Sequence, residues 1–396
     1  MKLYEAFDAY FGGEPADQVY CPYRVCPVGA HIDHQQGPVT GFALDHGVTL
    51  VYRPIEQPLI DIYSMNFAGN VRISLNHEPV LARNWGDYAR AAIRSLNVHG
   101  YRVEHGFAGV IEGTLPIGGL SSSAAVVLTY LTALCRVNGL QPAPQEMVAM
   151  ALWAERNFIG LNIGKLDQSC EVYCEKDHLL YLDTRDDSIE QILPGKDMPP
   201  YQIGIFFSGV SRALIGSAYN ARVDECKAAA YALKAYAGIP YERFGDTVLR
   251  DVPKEVFMMY KSRLPENFAR RAEHFYGECE RVSRGVTAGR NGDSPGFGQV
   301  IFESGNSSIE KYESGSPELR ALHEIMLETP GVYGGRFSGA GFKGCGMALI
   351  DPAQKSQIEE RITQKYLDAF PEMQGKFSVH FCSTADGVRI GKEDGR

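Results

Sequence analysis

Several things are missing from this 396-residue chain. No stretch reaches about 18 uninterrupted apolar residues, so no membrane-spanning helix is expected. The opening MKLYEAFDAYFGG has no basic segment followed by a long apolar run, so it is not a secretory leader. Nine cysteines are scattered without a CxxC pair or a Cys/His zinc spacing; Cys170 and Cys174 lie one helical turn apart, with no second pair. Reduced thiols in a cytoplasmic protein are the expectation. Positive charge is also short. Lys and Arg total 39 against 48 Asp and Glu, a net −9, which argues against a general nucleic-acid surface. An anionic ligand must then be met by local basic residues, backbone amides and a metal. There is no internal repeat and no low-complexity tail.

What remains is an ordinary globular composition, 44% hydrophobic and 22% charged, on a chain long enough for two domains. Val48–Tyr52, Leu59–Tyr63 and Phe107–Glu112 have strand character between Gly/Pro turns. Ser121 opens an alanine-rich stretch, Ala124 to Val137, that predicts a buried helix stopped at Asn138-Gly139. A second helix is expected from about Gln145 to Asn157, then a strand over Leu179–Asp183. The charged stretch ending at Pro199-Pro200 marks a domain boundary, giving domains of 1–200 and 201–396. Beyond it, Ser217–Ala237 and Lys254–Arg284 predict helices and Met347–Ile350 a strand. The fold class is α+β.

The run Leu115-Pro116-Ile117-Gly118-Gly119-Leu120-Ser121-Ser122-Ser123-Ala124-Ala125 carries strong local chemistry. Glycines let backbone approach a polyphosphate, and a helix N-terminus offers unpaired N–H groups and a positive dipole end. Serine hydroxyls there can bond phosphate oxygens or ligate Mg²⁺. A serine N-cap on a core helix explains the same residues equally well. No Gly-Lys-Ser/Thr follows, so this is not a Walker A loop.

Nearer the start stands Pro22-Tyr23-Arg24-Val25-Cys26-Pro27-Val28-Gly29-Ala30-His31-Ile32-Asp33-His34. Asp33 can accept hydrogen bonds from two sugar hydroxyls, and Arg24 can offset charge developing on phosphate. On residue type alone, His31 and His34 are core histidines or a chance metal pair. Further on come Glu155-Arg156-Asn157-Phe158 and Gly160, then Gly164-Lys165-Leu166-Asp167-Gln168. A lone Asp in such a loop is usually solvated or capping. A glycine-rich turn, Gly334 to Cys345, could close over phosphates or pack against the first glycine loop. Its Lys343 is either a solvated loop lysine or a counter-charge for an anion.

Together these segments resemble the GHMP kinase superfamily, over about residues 20–350. The serine run resembles its second motif, PxGxGLSSSAA, one residue shorter between Pro116 and Leu120. The N-terminal run resembles the galactokinase signature GRVNLIGEHTDY, with Ala30 in place of its glutamate and His34 in place of its tyrosine. Glu155 to Gln168 resembles ExxFxGxxxGxxDQ, and Gly334–Cys345 the third motif, with Lys343 for a glycine. The runs PYRVCPVGAHIDHQ, FSGVSRAL from Phe207, YNARVDEC from Tyr219 and RAEHFY from Arg271 are most similar to plant-type galacturonokinases.

The resemblance implies an N-terminal domain like that of ribosomal protein S5 and a ferredoxin-like C-terminal domain, with the site between them. It implies ATP-dependent phosphorylation of an anomeric sugar hydroxyl. Asp167 and Arg24 are then the catalytic pair, and Ser123 and Glu155 hold Mg²⁺. Gly118, Gly119, Leu120, Ser121, Ser122 and Ser123 bind ATP. Ala30, His31, Asp33, His34, Gly164 and Tyr219 meet the sugar. Arg271, His274, Arg281 and Ser307–Tyr312 are expected to be structural. In galactokinases the missing glutamate receives the sugar 6-hydroxyl, so Ala30 points to a uronic acid, with Lys343 and His34 as candidates for its carboxylate. Galactose, another sugar acid, and a non-catalytic sugar sensor are the alternatives. No nucleic-acid or membrane partner is expected.

Overall fold

The computed structural model describes residues 2–210, 215–240 and 243–391, and of residues 215–218 only the helical backbone. The end of the FSGVSRAL run, 211–214, lies outside the described residues. Strands β1 (Asp17–Val25) and β2 (Pro38–Ile55) pair antiparallel at the centre of the first sheet. Beyond β2 come β3 (Leu59–Ser64), β4 (Asn70–Ser74) and β5 (Gly106–Gly113), in the order β1-β2-β5-β3-β4. The three expected strands are therefore the middle of β2, β3 and β5.

Alternation sorts the side chains of this sheet onto two faces. Val51 and Val110 pack against Leu3 and Phe7 of α1 (Lys2–Phe11). Their neighbours Leu50 and Ile111 join the main core, which includes α2 (Asp87–Val98) and α3 (Ser122–Val137). In α3 the fully buried Ala124, Ala125 and Ala133 keep the packed helix slim. The expected second helix is α4 (Pro144–Trp153), continued by a π-helical turn over Ala154–Ile159 that ends at Gly160 (φ 89°). Such wide turns often re-aim functional side chains. Here Glu155 is fully buried. Helix α5 (Leu166–Tyr173) follows, then β6 (Leu179–Asp183), which pairs with the first residues of β2 and carries β7 (Ser188–Ile192).

Strand β8 (Gln202–Phe207) opens a second sheet. It is completed after α6 (Ile215–Ala237), α7 (Lys254–Tyr260), α8 (Glu266–Asn291), α9 (Ser294–Glu310) and α10 (Pro317–Leu327). Its other strands are β9 (Val332–Phe337), β10 (Cys345–Ile350) and, after α11 (Lys355–Ala369), β11 (Ser378–Cys382), in the order β11-β8-β10-β9. The single helix expected over Lys254–Arg284 is two. Pro265 cannot continue a helix and holds Leu264 extended (φ −77°, ψ 148°), so α7 stops and α8 restarts after it. After β11 the chain recrosses. Short strands β12 (Thr384–Ala385) and β13 (Arg389–Ile390) pair with β2 and β1 of the first sheet.

Among the described residues no helix is long and apolar enough to cross a membrane. All nine cysteines are unpaired.

One buried carboxylate ties α8 to the N-terminal signature. Glu278, fully buried, accepts from the Gly29 backbone N–H at 2.9 Å and from the Ser304 hydroxyl, and pairs with Arg281 at 2.7 Å. Burial works to raise its pKa, and the Arg281 guanidinium reverses this, so Glu278 is held at about 2. Its ionised form therefore stabilises the fold above the usual carboxylate pKa, and that contribution is lost as pH falls from about 4.5 toward 2. Glu278→Ala should cost about 3–5 kcal/mol in urea unfolding at pH 7, because it strands buried arginine charge. The difference from the parent should shrink in the same titration below pH 4.

Candidate active site

Arg24 sits at a register shift in β1, between Pro22 and Arg24, where an irregular pairing with β2 re-aims the side chain. Its backbone N–H donates to Leu120 O at 3.2 Å, and its Nη1 to Gly119 O at 3.0 Å. Its Nε donates to Asp167 Oδ1 at 2.7 Å. Burial works against the Arg24 charge, but the Asp167 carboxylate outweighs it and holds the guanidinium pKa above its ordinary value. Three sequence motifs thus meet on one side chain. The Asp167 side chain stays 23% exposed, against 6% for Arg24, and faces a cavity of about 220 Å³.

That cavity is lined by Arg24, Ala30, His31, Asp33, Gly164, Asp167 and Tyr219, all but Arg24 and Asp167 among the residues expected at the sugar. Asp33 accepts from the backbone N–H groups of His34 (3.0 Å) and Leu166 (3.3 Å). Burial first, then the neighbouring Asp167, raises its pKa. Gly164 makes room for it: a Cβ there would lie 2.0 Å from Asp33 Oδ2. His31 is in the left-handed region (φ 65°), stacks on Tyr312 at 4.6 Å, and donates from its Nε2–H to Gly339 O at 2.9 Å. Burial pushes it well below the usual histidine range, so it is neutral.

Two expectations come apart from this cavity. His34 does not line it. Its Nε2 bonds Tyr312 Oη at 3.0 Å, and its ring faces a neighbouring cavity; burial lowers its pKa to about 3, which leaves no cation there for a carboxylate. Lys343, half-buried near the tip of the β9–β10 hairpin, is absent from the lining too. Of the residues expected to be structural, His274, Ser307 and Tyr312 lie directly behind the site. His274 Nε2 holds Ala30 O at 3.0 Å and its Nδ1 meets Ser307 Oγ at 2.9 Å.

The glycine loop ends where α3 begins. Ser121 adopts φ 63° and makes no side-chain cap, and its buried hydroxyl has no partner. The capping explanation therefore does not account for it. The third motif packs against this loop at backbone distance. A Cβ on Gly339 would lie 2.8 Å from Gly119 Cα, and one on Gly344 would lie 2.6 Å from the Gly118 carbonyl carbon. Ser338 Oγ donates to Gly119 O at 2.7 Å.

Ser122 and Ser123 open onto a second cavity of about 640 Å³, whose walls include Tyr23, Phe67, Trp85 and Tyr88. Phe67 and Trp85 are parallel within 12° at 6.4 Å. The motifs did not point to this aromatic wall. The only local signal is that Trp85 is one of two tryptophans and Phe67 lies in a glycine turn, 45% exposed. Glu155, in the π-helical turn, lies near Ser123 and against Gln168 of α5. Burial raises its pKa to about 7, and the nearby Ser123 hydroxyl and the Gln168 amide offset part of that rise. Its Oε1 is buried without a hydrogen bond. An orphaned carboxylate oxygen beside a hydroxyl is a donor set that fits a hard cation such as Mg²⁺.

The fold is that of a two-domain GHMP-type kinase. The family descriptions "GHMP kinases N terminal domain" and "GHMP kinases C terminal" match residues 87–175 and 286–368. The chain is 35% identical to the galacturonokinase of Arabidopsis thaliana, over 94% of this chain and 93% of that one. It is 30% identical to the galactokinase of Homo sapiens, over 97% and 95%. The structure of Lactococcus lactis galactokinase complexed with galactose superposes with a TM-score of 0.88 at 28% identity, covering 98% of both chains. The chain belongs to the galactokinase family of GHMP kinases, and it is a sugar kinase.

Gly164→Ala should force the Asp33 carboxylate aside. A displacement of that size lowers sugar kcat/KM by about 10²-fold. Steady-state kinetics, with a melting curve to confirm the fold, checks this.

Proposed function

We propose that the chain transfers the γ-phosphoryl group of ATP to the anomeric hydroxyl of D-galacturonate. The observation that carries the substrate is Ala30. It lines the cavity with its backbone held by His274, at the position where the galactokinase signature has glutamate. A glutamate beside a C6 carboxylate sets two anions about 4 Å apart, a repulsion of order 4 kcal/mol at an effective dielectric near 20. Alanine removes both the charge and the bulk. The higher identity to the Arabidopsis galacturonokinase supports the same reading.

The chemistry follows from positioning and charge. Asp167, oriented by Arg24, accepts the proton of the C1 hydroxyl. The C1 oxygen bonds the γ-phosphorus as the bond to the bridging oxygen of ADP breaks, in one in-line step without a phosphoenzyme. Arg24 offsets the negative charge that develops. Asp33 accepts from ring hydroxyls, and Tyr219 walls the sugar. Gly118, Gly119 and Ser121–Ser123 cradle the phosphates at the α3 N-terminus, and the base lies against Phe67 and Trp85. Ser123 and Glu155 would hold Mg²⁺, which would supply charge neutralisation on the phosphates.

Galactose is the second reading, favoured by the close superposition on the Lactococcus lactis galactokinase. An ATP-coupled panel of galactose, galacturonate, glucose and glucuronate separates the two, with galacturonate expected to give the highest kcat/KM. Asp167→Asn should lower kcat by about 10²–10⁴-fold; wild-type turnover in that variant would overturn the assignment. Ala30→Glu should depress activity on galacturonate far more than on galactose, and an unchanged preference would refute the substrate argument.

A further inference from the structure

A third, polar cavity of about 570 Å³ adjoins the cavity at Asp167 and shares Asp33, Asn162 and Ile163 with it. Its walls carry Arg156, Lys165, Arg185 and Lys227 against only Asp33 and Asp246. In a chain of net charge −9 this is a local reversal of sign. Two of these cations are already neutralised. Lys165 pairs with Asp187, and Arg185 with Asp251 at 3.1 Å. Asp251 is itself shared with Lys234 at 3.0 Å, so one carboxylate serves two cations.

Arg156 and Lys227 are different. Arg156 is anchored by Nε to the Ile163 carbonyl at 2.6 Å, and Lys227 Nζ to the Gly245 carbonyl at 2.6 Å. Among the described residues neither forms an ion pair. Both bonds are to neutral carbonyls, which orient the cations without cancelling their charge. Arg156 follows Glu155 directly in the π-helical turn, and its field reaches Asp33 and Tyr219, which line the sugar cavity. Asp33 lines both spaces, and its carboxylate accepts two backbone N–H groups.

We propose that this cationic annex, through Arg156 and Lys227, draws anionic sugars to the active-site cavity and is a determinant of preference for a uronate over a neutral sugar. This rests on the uronate reading above, and it assigns the attraction to residues outside the recognised motifs. Uncompensated charge in a concave, partly desolvated wall focuses its field outward. A neutral sugar does not feel that field, and added salt screens it within about 10 Å at 0.1 M. The signature is therefore a salt dependence present for one sugar and absent for the other.

The test is steady-state kinetics on galacturonate and galactose at saturating ATP and fixed free magnesium, between about 20 and 300 mM NaCl, where screening changes most. In the parent enzyme KM for galacturonate should rise several-fold with salt while KM for galactose stays flat. Arg156→Gln/Lys227→Gln should raise galacturonate KM by about tenfold and flatten its salt dependence, with kcat changing far less than KM. Arg156→Lys, which keeps charge and loses the Nε anchor, should retain most of the preference. Equal KM changes for both sugars in the double variant, or an unaltered salt dependence, would overturn the proposal, as would loss of preference in Arg156→Lys. If the parent phosphorylates galactose but not galacturonate, the Ala30 reading fails by itself. Calorimetric titration with galacturonate at low and high salt then decides the annex. Binding weakened by salt and by the double variant upholds it, and binding indifferent to both rejects it.

Discussion

The arginine–carboxylate contact between Arg24 and Asp167 is the interaction around which the rest of the site is arranged. A guanidinium buried this far is tolerated only with a close, well-oriented anion and further hydrogen bonds. Each requirement recruits a different segment: α5 supplies the anion, the glycine loop supplies Gly119 O, and β1 supplies the irregular pairing that turns the side chain inward. Asp167 in turn stays partly exposed because its partner, not solvent, holds it in place. The same contact therefore meets a folding requirement and orients the carboxylate proposed as the proton acceptor.

Close backbone packing is the second constraint. The turn after β9 lies against Gly118 and Gly119 so tightly that side chains are excluded at Gly339 and Gly344. The carbonyl of Gly339 also meets His31. The glycine-serine loop and the N-terminal signature are thus both referenced to one hairpin of the second sheet. Behind them, Glu278, His274 and Tyr312 fix Gly29, Ala30 and His34 from the helical side.

What could be seen in the sequence were clusters whose members lie within one short window: Arg24 to Asp33, Gly118 to Ser123, and Glu155 to Asp167. Their spacing is the chemistry, so local order is enough. The α+β class and most strands also followed from alternation and turn residues. What could not be seen depends on long-range contact. Phe67 and Trp85 approach each other only through the sheet and α2, and neither belongs to a motif. His34 belongs to the signature run expected at the sugar, yet it lines another space than Asp167 does. The break at Pro265 was legible in principle, since proline in a helical pattern is a stop signal. The π-helical turn was not, because nothing in residue type distinguishes it from the α-helix it continues.

The last strands give the architecture a further property. The chain passes from the first sheet to the second between β7 and β8 and returns between β11 and β12. The two halves are therefore pinned at two places rather than strung on a single tether. Between the crossings one buried core runs through both, since Ile203, Ile205 and Met347 of the second sheet cluster with Val25, Phe42 and Leu50 of the first. Parting the sheets would therefore lay bare apolar core as well as break the glycine contacts, so the double crossing closes a loop around a seam that is already sealed.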